Sequence, residues 1–428
     1  MIESALEQFS ENIFLFLTGE TKDVRSLLVK KHNENLKTHG DFSFPNSLKS
    51  WHKYANCSQE ANKEDLSILE VIGKEPTDMV EESKQWNLQV NKVREQKGRI
   101  YLFLERPRAI RVGLLEALHN NKFISERIRE SITSVEIICC EDKCDLTSLR
   151  TKYLCNVVKN LCAIHQVDSP IFITSKSTCK REGYQTLLCG KVLNTKSGAK
   201  ETNISSYNHN YIVINYGVRV STDSKWRDFI AHLGESAAAF ELLQTKPSGP
   251  VKINLDCSSG SSKGASFILY NCARLETIIK TYNDKVIEGT YPVLPEFDEV
   301  DLSLLTQEDE WCLIFNYLLG LPSVLSNCVE INSQGCEFRP HHICSYLCSM
   351  VRVVSQYYRK VRILVEPRKH LLPVIFARIH MLKILNETLK SCLNILNIKK
   401  NKSSSISNYS TRAHRKKMFC LETQSSRD

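Results

Sequence analysis

The sequence predicts a mixed α+β, mostly helical protein with a small N-terminal α/β domain, a reduced α/β middle region and a C-terminal all-α bundle. Three patterns support this prediction. A strand-like run at residues 100–104 lies between two helical patterns, short strand-like runs alternate with helical ones up to residue 250, and long amphipathic patterns follow. The chain has 428 residues, of which 42% are hydrophobic and 25% charged, so it is long enough for three globular domains.

Residues 1–120 are predicted to form the N-terminal domain. Ala5, Phe9, Ile13 and Leu17 recur at helical spacing, and residues 100–104 are branched or aromatic, which favours a buried strand. A further helical pattern covers residues 113–119. The polar residues 21–91 show little periodicity and are interpreted as an insertion into this domain.

Residues 121–250 are predicted to form the middle region. Strand-like runs at 135–139 and 171–173 flank a helical pattern at 146–164, and residues 211–220 give the strongest strand pattern in the chain. These elements are too few for a full doubly wound nucleotide-binding domain. We therefore expect a reduced α/β layer.

Residues 251–400 are predicted to form a bundle of helices at 267–282, 311–319 and 322–329, then one beginning at Pro340 and a last one at 371–393. Proline fits the first turn of a helix, and the apolar stripes that follow recur every three or four residues. Residues 401–428 are basic and have no apolar stripe, which predicts a disordered tail.

The charge is concentrated at one end. From Arg339 to Asp428 the sequence holds 18 Lys and Arg against 4 Asp and Glu. Such asymmetry favours a polyanionic partner, either nucleic acid or an anionic membrane surface, although a solvated basic surface without a partner has the same pattern. Acidic residues cluster just upstream, between Glu296 and Glu310, and predict either a loop that repels nucleic acid or the start of a helix.

The remaining patterns predict no catalytic, cofactor or metal site. The first residues lack a secretory pattern and no run of eighteen apolar residues occurs, so we expect a cytoplasmic protein with reduced thiols and no membrane partner. Cys336, His341, His342, Cys344 and Cys348 lie near one another, but without a Cys-x-x-Cys pair they fit buried thiols better than a zinc site.

Six short motifs follow one another in the C-terminal part of the chain: Tyr270-Asn-Cys-Ala273-Arg274-Leu275, Ser345-Tyr346-Leu347, Tyr357-Tyr358, Arg362-Ile363-Leu364, Ala377-Arg378-Ile379 and Leu393-Asn-Ile-Leu-Asn-Ile398. Over about residues 255–400 this ordered set resembles the DALR anticodon-binding domain of arginyl-tRNA synthetases. Two positions depart from the family pattern: the literal Asp-Ala-Leu-Arg string is absent, and Asn397 stands where the family has glycine.

Upstream segments resemble the same synthetases. Residues 98–104 are similar to their extra N-terminal domain, which approaches the outer corner of tRNA, and Lys196 and Ser197 are similar to part of a signature loop. The family's His-x-Gly-His element, which grips ATP phosphates, is absent. The nearest string, His232-Leu-Gly-Glu235, ends in a carboxylate that would repel phosphate. The middle region is therefore interpreted as degenerate Rossmann-like.

The resemblance implies a non-catalytic relative of arginyl-tRNA synthetase that binds particular arginine tRNAs. It further implies delivery of those tRNAs to a methyltransferase that makes 3-methylcytidine in the anticodon loop. An arginyl-tRNA ligase with a divergent core and a helical protein-interaction module remain alternatives.

Ten residues are candidates for RNA contact. Cationic side chains at helical spacing follow a phosphate backbone, and an exposed tyrosine stacks on unpaired bases. The candidates are Arg352, Arg359, Lys360, Arg362, Arg368, Lys369, Lys383, Tyr346, Arg378 and Arg274. For Arg378 an internal ion pair is an equally good interpretation, and Tyr357 and Tyr358 are expected in the core.

Overall fold

A computed structural model of the chain shows a mixed α+β fold in which helices predominate, as predicted. It describes residues 2–19, 28–52, 54, 66–130, 136–139, 145–176, 178–194, 224–253, 263–332 and 335–398. The strands are β1 (Lys30–Lys31), β2 (Phe42–Pro45), β3 (Val90–Gln96), β4 (Arg99–Leu104), β5 (Ile137–Cys139), β6 (Ile171–Thr174), β7 (Gln185–Leu188), β8 (Val192–Asn194), β9 (Val251–Ile253), β10 (Val329–Asn332) and β11 (Gly335–Phe338).

The helices are α1 (Ala5–Thr18), α2 (Leu36–His39), α3 (Leu48–Trp51), α4 (Ile68–Val71), α5 (Pro76–Glu82), α6 (Arg106–Glu130), α7 (Leu146–His165), α8 (Ser224–Leu243), α9 (Lys263–Ile287), α10 (Glu308–Cys312), α11 (Leu321–Ser326), α12 (Pro340–Lys360) and α13 (Leu372–Ile395). A π-helical segment, Leu313–Leu318, continues α10, and short 3-10 turns cover Ser83–Gln85, Phe297–Glu299 and Leu302–Leu304.

Most long elements lie where the sequence predicted them, including α7, β6, α12 and α13. Several features differ. The polar region 21–91 contributes β1, β2 and the first residues of β3 to a sheet. Four elements between residues 185 and 253 were not predicted, namely β7, β8, α8 and β9, and the hairpin β10–β11 lies between helices of the predicted C-terminal bundle. The predicted strand at 211–220, the Lys196 loop and the tail 401–428 lie outside the described residues.

The chain folds into two compact units that each draw on several segments. Unit 1 comprises Met1–Phe123, Leu294–Ser323 and Gln356–Ile384, and unit 2 comprises Ile124–Val293, Val324–Ser355 and Leu385–Asp428. The last two helices, α12 and α13, each contribute residues to both units. The linear domain boundaries given above remain a prediction.

Unit 1 is built on an antiparallel sheet with the strand order β1-β2-β4-β3. Along β4 the side chains alternate: Ile100, Leu102 and Leu104 are buried, and the residues between them are partly exposed. The sheet also anchors α10, because the indole Nε1 of Trp311 donates to the buried carboxylate of Asp41 at 2.9 Å. This bond fixes the helix that carries Asp309 and Glu310.

Unit 2 contains the parallel sheet β5-β6-β7 and the parallel pair β8-β9. The guanidinium of Arg150, on α7, is 1% exposed and donates to five backbone carbonyls. The acceptors are the carbonyls of Gly190, Leu242, Thr245, Lys246 and Gly249, at distances between 2.6 and 3.3 Å. Through these bonds the Arg150 side chain fixes the segments that precede β8 and β9 against α7.

Asn397 explains one departure from the family pattern. Its φ is 54°, in the left-handed region that glycine adopts freely and asparagine tolerates best among the other residues. The amide of Ile398 donates to the carbonyl of Leu393 at 2.9 Å, and that of Asn397 donates to Asn394, which is the bond pattern that closes a helix C-terminus. The chain keeps the backbone turn without the glycine.

Candidate nucleic-acid interface

Helix α12 presents a cationic face because its apolar stripe is buried. Pro340 occupies the first turn, and Ile343, Leu347, Met350 and Val354 are each no more than 1% exposed. The opposite face of the helix is exposed to solvent. The predicted contacts Arg352, Arg359 and Lys360 are all exposed there.

Of the candidate RNA contacts, three exposed cations have no ion-pair partner among the described residues: Arg352 on α12, and Arg362 and Lys369 in the segment between α12 and α13. We call them the open cations. Lys383, on α13, is half-buried and also lacks an ion pair within the described ranges. A guanidinium or ammonium group without an internal carboxylate is available to a phosphate.

Two further candidates have carboxylate partners on the surface. The Nζ of Lys360 lies 2.8 Å from the Oδ2 of Asp309, and the Nη2 of Arg368 lies 2.9 Å from the Oε2 of Glu366. Exposed pairs of this kind contribute about 0–1 kcal/mol, so an RNA phosphate can compete for either cation.

Arg378 belongs to a buried polar cluster. Its Nε donates to the Oε1 of Glu310 at 2.9 Å, and the hydroxyl of Tyr357 donates to the same oxygen at 2.8 Å. The Glu310 side chain is fully buried and that of Arg378 is 14% exposed. Burial, with the adjacent carboxylate of Glu310, raises the pKa of Tyr357. The structure thus gives Arg378 the internal ion pair that was the alternative to an RNA contact. We call Lys360 and Arg378 the paired cations.

The acidic stretch upstream supplies counter-ions within unit 1. Besides the pairs of Asp309 and Glu310, the carboxylate of Glu308 pairs with Arg106 at 2.6 Å, and that of Asp298 pairs with Arg111 at 2.5 Å. These four acids each pair with a cation on the same unit. Of the two interpretations of the stretch, the start of a helix is the one seen at Glu308–Cys312.

The tyrosines are placed differently from the prediction. Tyr346, the predicted stacking residue, is 7% exposed because its side of α12 packs into the core, so the prediction of an accessible ring is wrong. Tyr357 is 1% exposed, as expected. Tyr358 was expected in the core but is 44% exposed, next to Arg359 at the end of α12. Its ring is the accessible aromatic surface on this helix.

Arg274 is half-buried and engaged within unit 2. Its Nη2 donates to the hydroxyl of Tyr270 at 2.7 Å, the guanidinium carbon lies 4.5 Å from the centre of the Tyr270 ring, and Nη1 lies 3.4 Å from the Oγ of Ser355. These contacts hold the side chain along α9. It is less accessible to RNA than the open cations.

Sequence reasoning missed a second cationic surface, on the outer face of the sheet in unit 1. We define this sheet face by Lys92 and Arg94 on β3, and by Arg99, Tyr101 and Phe103 on β4. The guanidinium of Arg94 lies 5.4 Å from the centre of the Phe103 ring. The aromatic residues Tyr101 and Phe103 beside Arg99 were the signal available in the sequence, in a run that was interpreted as a buried strand at 100–104.

The sheet face has a positive environment. The imidazole of His32 stacks on Tyr101, with ring centres 6.0 Å apart. The pKa of His32 is lowered, first by burial and then by the neighbouring charges of Lys30 and Arg99. Aromatic rings interleaved with cations are the combination that binds unpaired nucleic acid.

The strings considered for ATP or metal binding lie in α8, in β11 and in the first half of α12. His232 to Glu235 lie inside α8 and not at a helix N-terminus, where phosphate binds. Cys336 and Cys344 are buried, and burial raises the pKa of each thiol. Among the residues described, no group of three or more His, Cys, Asp or Glu is arranged to hold a metal ion.

No helix in the described part of the chain is long and apolar enough to span a membrane.

Comparison with known proteins supports the resemblance. Residues 268–403 match the model of the DALR anticodon binding domain, which confirms that part of the prediction. Two curated proteins named DALR anticodon-binding domain-containing protein 3 are similar to this chain: the protein from Danio rerio is 35% identical over 192 residues and that from Rattus norvegicus is 33% identical over 187 residues. An arginine–tRNA ligase from Geotalea daltonii is 24% identical over 218 residues.

These matches are partial. The matches to the Danio rerio and Rattus norvegicus proteins each cover 43% of this chain. They cover 34% and 35% of those two relatives, so this chain matches about a third of each relative's length. The ligase match takes in 50% of this chain and 34% of the ligase.

Two solved arginyl-tRNA synthetases share the fold. The enzyme from Thermus thermophilus aligns with a TM-score of 0.53 and 10% identity, covering 92% of this chain and 99% of that one. The enzyme from Plasmodium falciparum aligns with a TM-score of 0.54 and 11% identity, covering 94% and 99%.

Proposed function

We propose that this chain is a cytoplasmic, non-catalytic tRNA-binding adaptor. It recognises arginine tRNAs and presents them to a methyltransferase that forms 3-methylcytidine in the anticodon loop. The observation that carries the proposal is the match of residues 268–403 to the DALR anticodon binding domain, which coincides with the exposed cationic face of α12.

The open cations and Tyr358 are the contacts that we assign to the anticodon arm. Arg352, Arg362 and Lys369 neutralise phosphates, and the exposed ring of Tyr358 stacks on an unpaired base. The sheet face supplies a second RNA contact, as expected from the resemblance of residues 98–104 to a domain that approaches the corner of tRNA.

The absence of aminoacylation is supported by the placement of the His232 string. A carboxylate at Glu235, inside a helix, offers ATP neither paired imidazoles nor free backbone amides. The relatives named as DALR domain-containing proteins agree with a role distinct from ligation, while the ligase relatives make exchange activity the necessary check.

The methyltransferase and the preference for arginine tRNAs rest on the resemblance to relatives named DALR anticodon-binding domain-containing protein 3. A reconstitution tests both. Purified chain, methyl donor and a candidate 3-methylcytidine methyltransferase are incubated with arginine tRNA or with a non-arginine tRNA that has the same cytidine. We expect methylation of the arginine tRNA to require the chain, and equal methylation without it would contradict the adaptor role.

The ligase alternative is tested separately by ATP–pyrophosphate exchange with arginine. We expect exchange at the level of a reaction without protein. Arginine-dependent exchange by the purified chain would replace the adaptor with an active ligase.

A further inference from the structure

A cleft of about 470 Å³ lies beside the start of α1 in unit 1. It is lined by Ile2, Glu3, Ser4, Glu7, Gln8, Glu11 and His119. Glu7 and Glu11 are one turn apart on α1 and Glu3 lies two residues before that helix, so three carboxylates line the cleft. The basic member of the lining is His119, whose Nε2 lies 3.8 Å from the Oε1 of Glu3.

A fourth carboxylate lies buried behind this wall. Glu116, on α6, is 5% exposed, and its Oε2 accepts a hydrogen bond from the backbone amide of Ala5 at 2.7 Å. Its Oε1 is buried without a hydrogen-bond partner. The charges of Glu3 and Glu7, which line the cleft, act on the Glu116 carboxyl, and the amide that its Oε2 accepts from belongs to Ala5, directly after Ser4 of the lining. Buried carboxyl oxygens normally have a hydrogen-bond partner, so Oε1 is an unsatisfied polar atom behind the wall of the cleft.

Apolar surface continues from the cleft along α6. Leu115 and Leu118 are 44% and 42% exposed, and with His119 they share one face of the helix. A free polyamine would satisfy the carboxylates and leave these leucines in water. A polypeptide that carries both basic and apolar side chains would cover both features.

We propose that this cleft binds an arginine- or lysine-bearing segment of a partner protein. The cationic group of the segment pairs with Glu3, Glu7 and Glu11 and reaches Glu116, and its apolar side chains cover Leu115 and Leu118. This site is separate from the cations assigned to RNA, and its acidic character excludes RNA as the ligand.

Binding at this site is linked to a proton. Burial first, and then the negative charges of Glu3 and Glu7, raise the pKa of Glu116 to about 8, so its carboxyl is mostly protonated at pH 7. A cation that pairs with Glu116 displaces that proton. The charges that act on it are those of Glu3, before α1, and Glu7, on α1, and the imidazole of His119, on α6, lies beside Glu3. Affinity for the segment should therefore rise as the pH increases through 8.

The first test measures fluorescence anisotropy of a labelled, end-capped peptide of alternating leucine and arginine with the full chain. We expect the double variant Glu7→Gln/Glu11→Gln to bind at least about tenfold more weakly, and Leu115→Ser/Leu118→Ser to weaken binding as well. The matched control, Glu34→Gln/Glu299→Gln, removes the same charge from exposed positions of unit 1 and should bind as the unchanged chain does.

Two outcomes of this test overturn the proposal. Equal loss in the cleft and control variants would show non-specific attraction of a basic peptide. Full displacement of the peptide by spermine at equal charge concentration would show a small-polycation site instead of a protein-docking site.

The second test examines Glu116. Calorimetry in two buffers of different ionisation enthalpy at pH 7 should show release of close to one proton per bound peptide by the unchanged chain. The variant Glu116→Gln should release none and show no rise in affinity between about pH 7 and 9, whereas His119→Gln should retain both effects. Absence of proton release by the unchanged chain would contradict the linkage, and that measurement does not depend on a variant folding.

Discussion

The paired cations and the open cations look alike in the sequence and differ in the structure. Arg378 donates to a fully buried glutamate, and Lys360 contacts Asp309 on the surface. Arg352, Arg362 and Lys369 are exposed and have no ion pair in the described residues. The difference shows that cation count and helical spacing identify a basic end, while acids far away in sequence decide which cations remain for RNA.

This comparison also separates stability from binding. Removing one partner of a buried pair leaves an uncompensated charge in the core, whereas removing an open cation leaves the fold unchanged. Each class of variant should therefore change one measurement and spare the other.

Reversing the charge of the three open cations should have the largest effect on tRNA affinity. We expect Arg352→Glu/Arg362→Glu/Lys369→Glu to lower affinity for arginine tRNA by roughly a thousandfold or more, because three phosphate contacts become repulsive. Filter binding at low salt measures the loss, and circular dichroism checks the fold. The matched variant Lys122→Glu/Lys252→Glu/Lys280→Glu makes the same charge change at other exposed positions, and an equal loss there would mean that only net charge matters.

Removal of Arg378 from its buried ion pair should lower the stability of the fold. We expect Arg378→Leu to lower the free energy of unfolding by about 3–5 kcal/mol, because Glu310 is left charged and buried. Denaturant titration measures the change. The double variant Arg378→Leu/Glu310→Leu should recover most of it, since the uncompensated charge is gone.

The single variant Arg378→Leu also tests whether Arg378 contacts RNA. Well below its unfolding temperature, Arg378→Leu should bind tRNA as the unchanged chain does. A stable Arg378→Leu protein that has lost tRNA affinity would move Arg378 from the paired class to the RNA contacts.

The two tyrosines on α12 provide a smaller test. Tyr358→Ala should weaken tRNA binding by about 1–3 kcal/mol, the usual contribution of an aromatic ring stacked on a base, and Tyr358→Phe should retain the affinity. Tyr346→Phe should bind normally because that ring is buried. A loss of affinity in Tyr346→Phe with none in Tyr358→Ala would reverse the assignment.

The smallest effect is expected at the surface pair. Asp309→Asn frees Lys360 for a phosphate and should raise tRNA affinity about two- to threefold, because exposed ion pairs contribute about 0.2–1 kcal/mol. Competition binding against the unchanged chain measures this. Adding Lys360→Met should abolish the gain, and a gain that persists would have to come from another cation.

Local periodicity was sufficient to predict several of the long elements. Pro340 and the apolar stripe after it located α12, and the Leu393–Ile398 ending located the turn where Asn397 takes the backbone of glycine. These features depend on residues within a few turns of one another, so one stretch of sequence contains the whole signal.

Long-range contacts explain what could not be predicted. The partner of Lys360 is 51 residues away and that of Arg378 is 68 residues away. In the sheet, Phe42 pairs with Leu102, and the four-residue strand that contains Phe42 lies in a mostly polar region that was interpreted as an insertion. A helical stripe also places Tyr346 and Tyr358 near its edge without showing which neighbours cover them, and only Tyr358 is left exposed.

The most direct test of tRNA binding by the open cations is its dependence on salt. Affinity of the unchanged chain and of Arg352→Gln/Arg362→Gln/Lys369→Gln for arginine tRNA is measured between about 50 and 200 mM salt. We predict that the plot of log K against log salt is less steep in the variant by about 2 to 3, since each lost phosphate contact removes roughly 0.7–0.9 from the slope. Identical slopes for the two proteins would contradict the assignment of these residues to the RNA backbone.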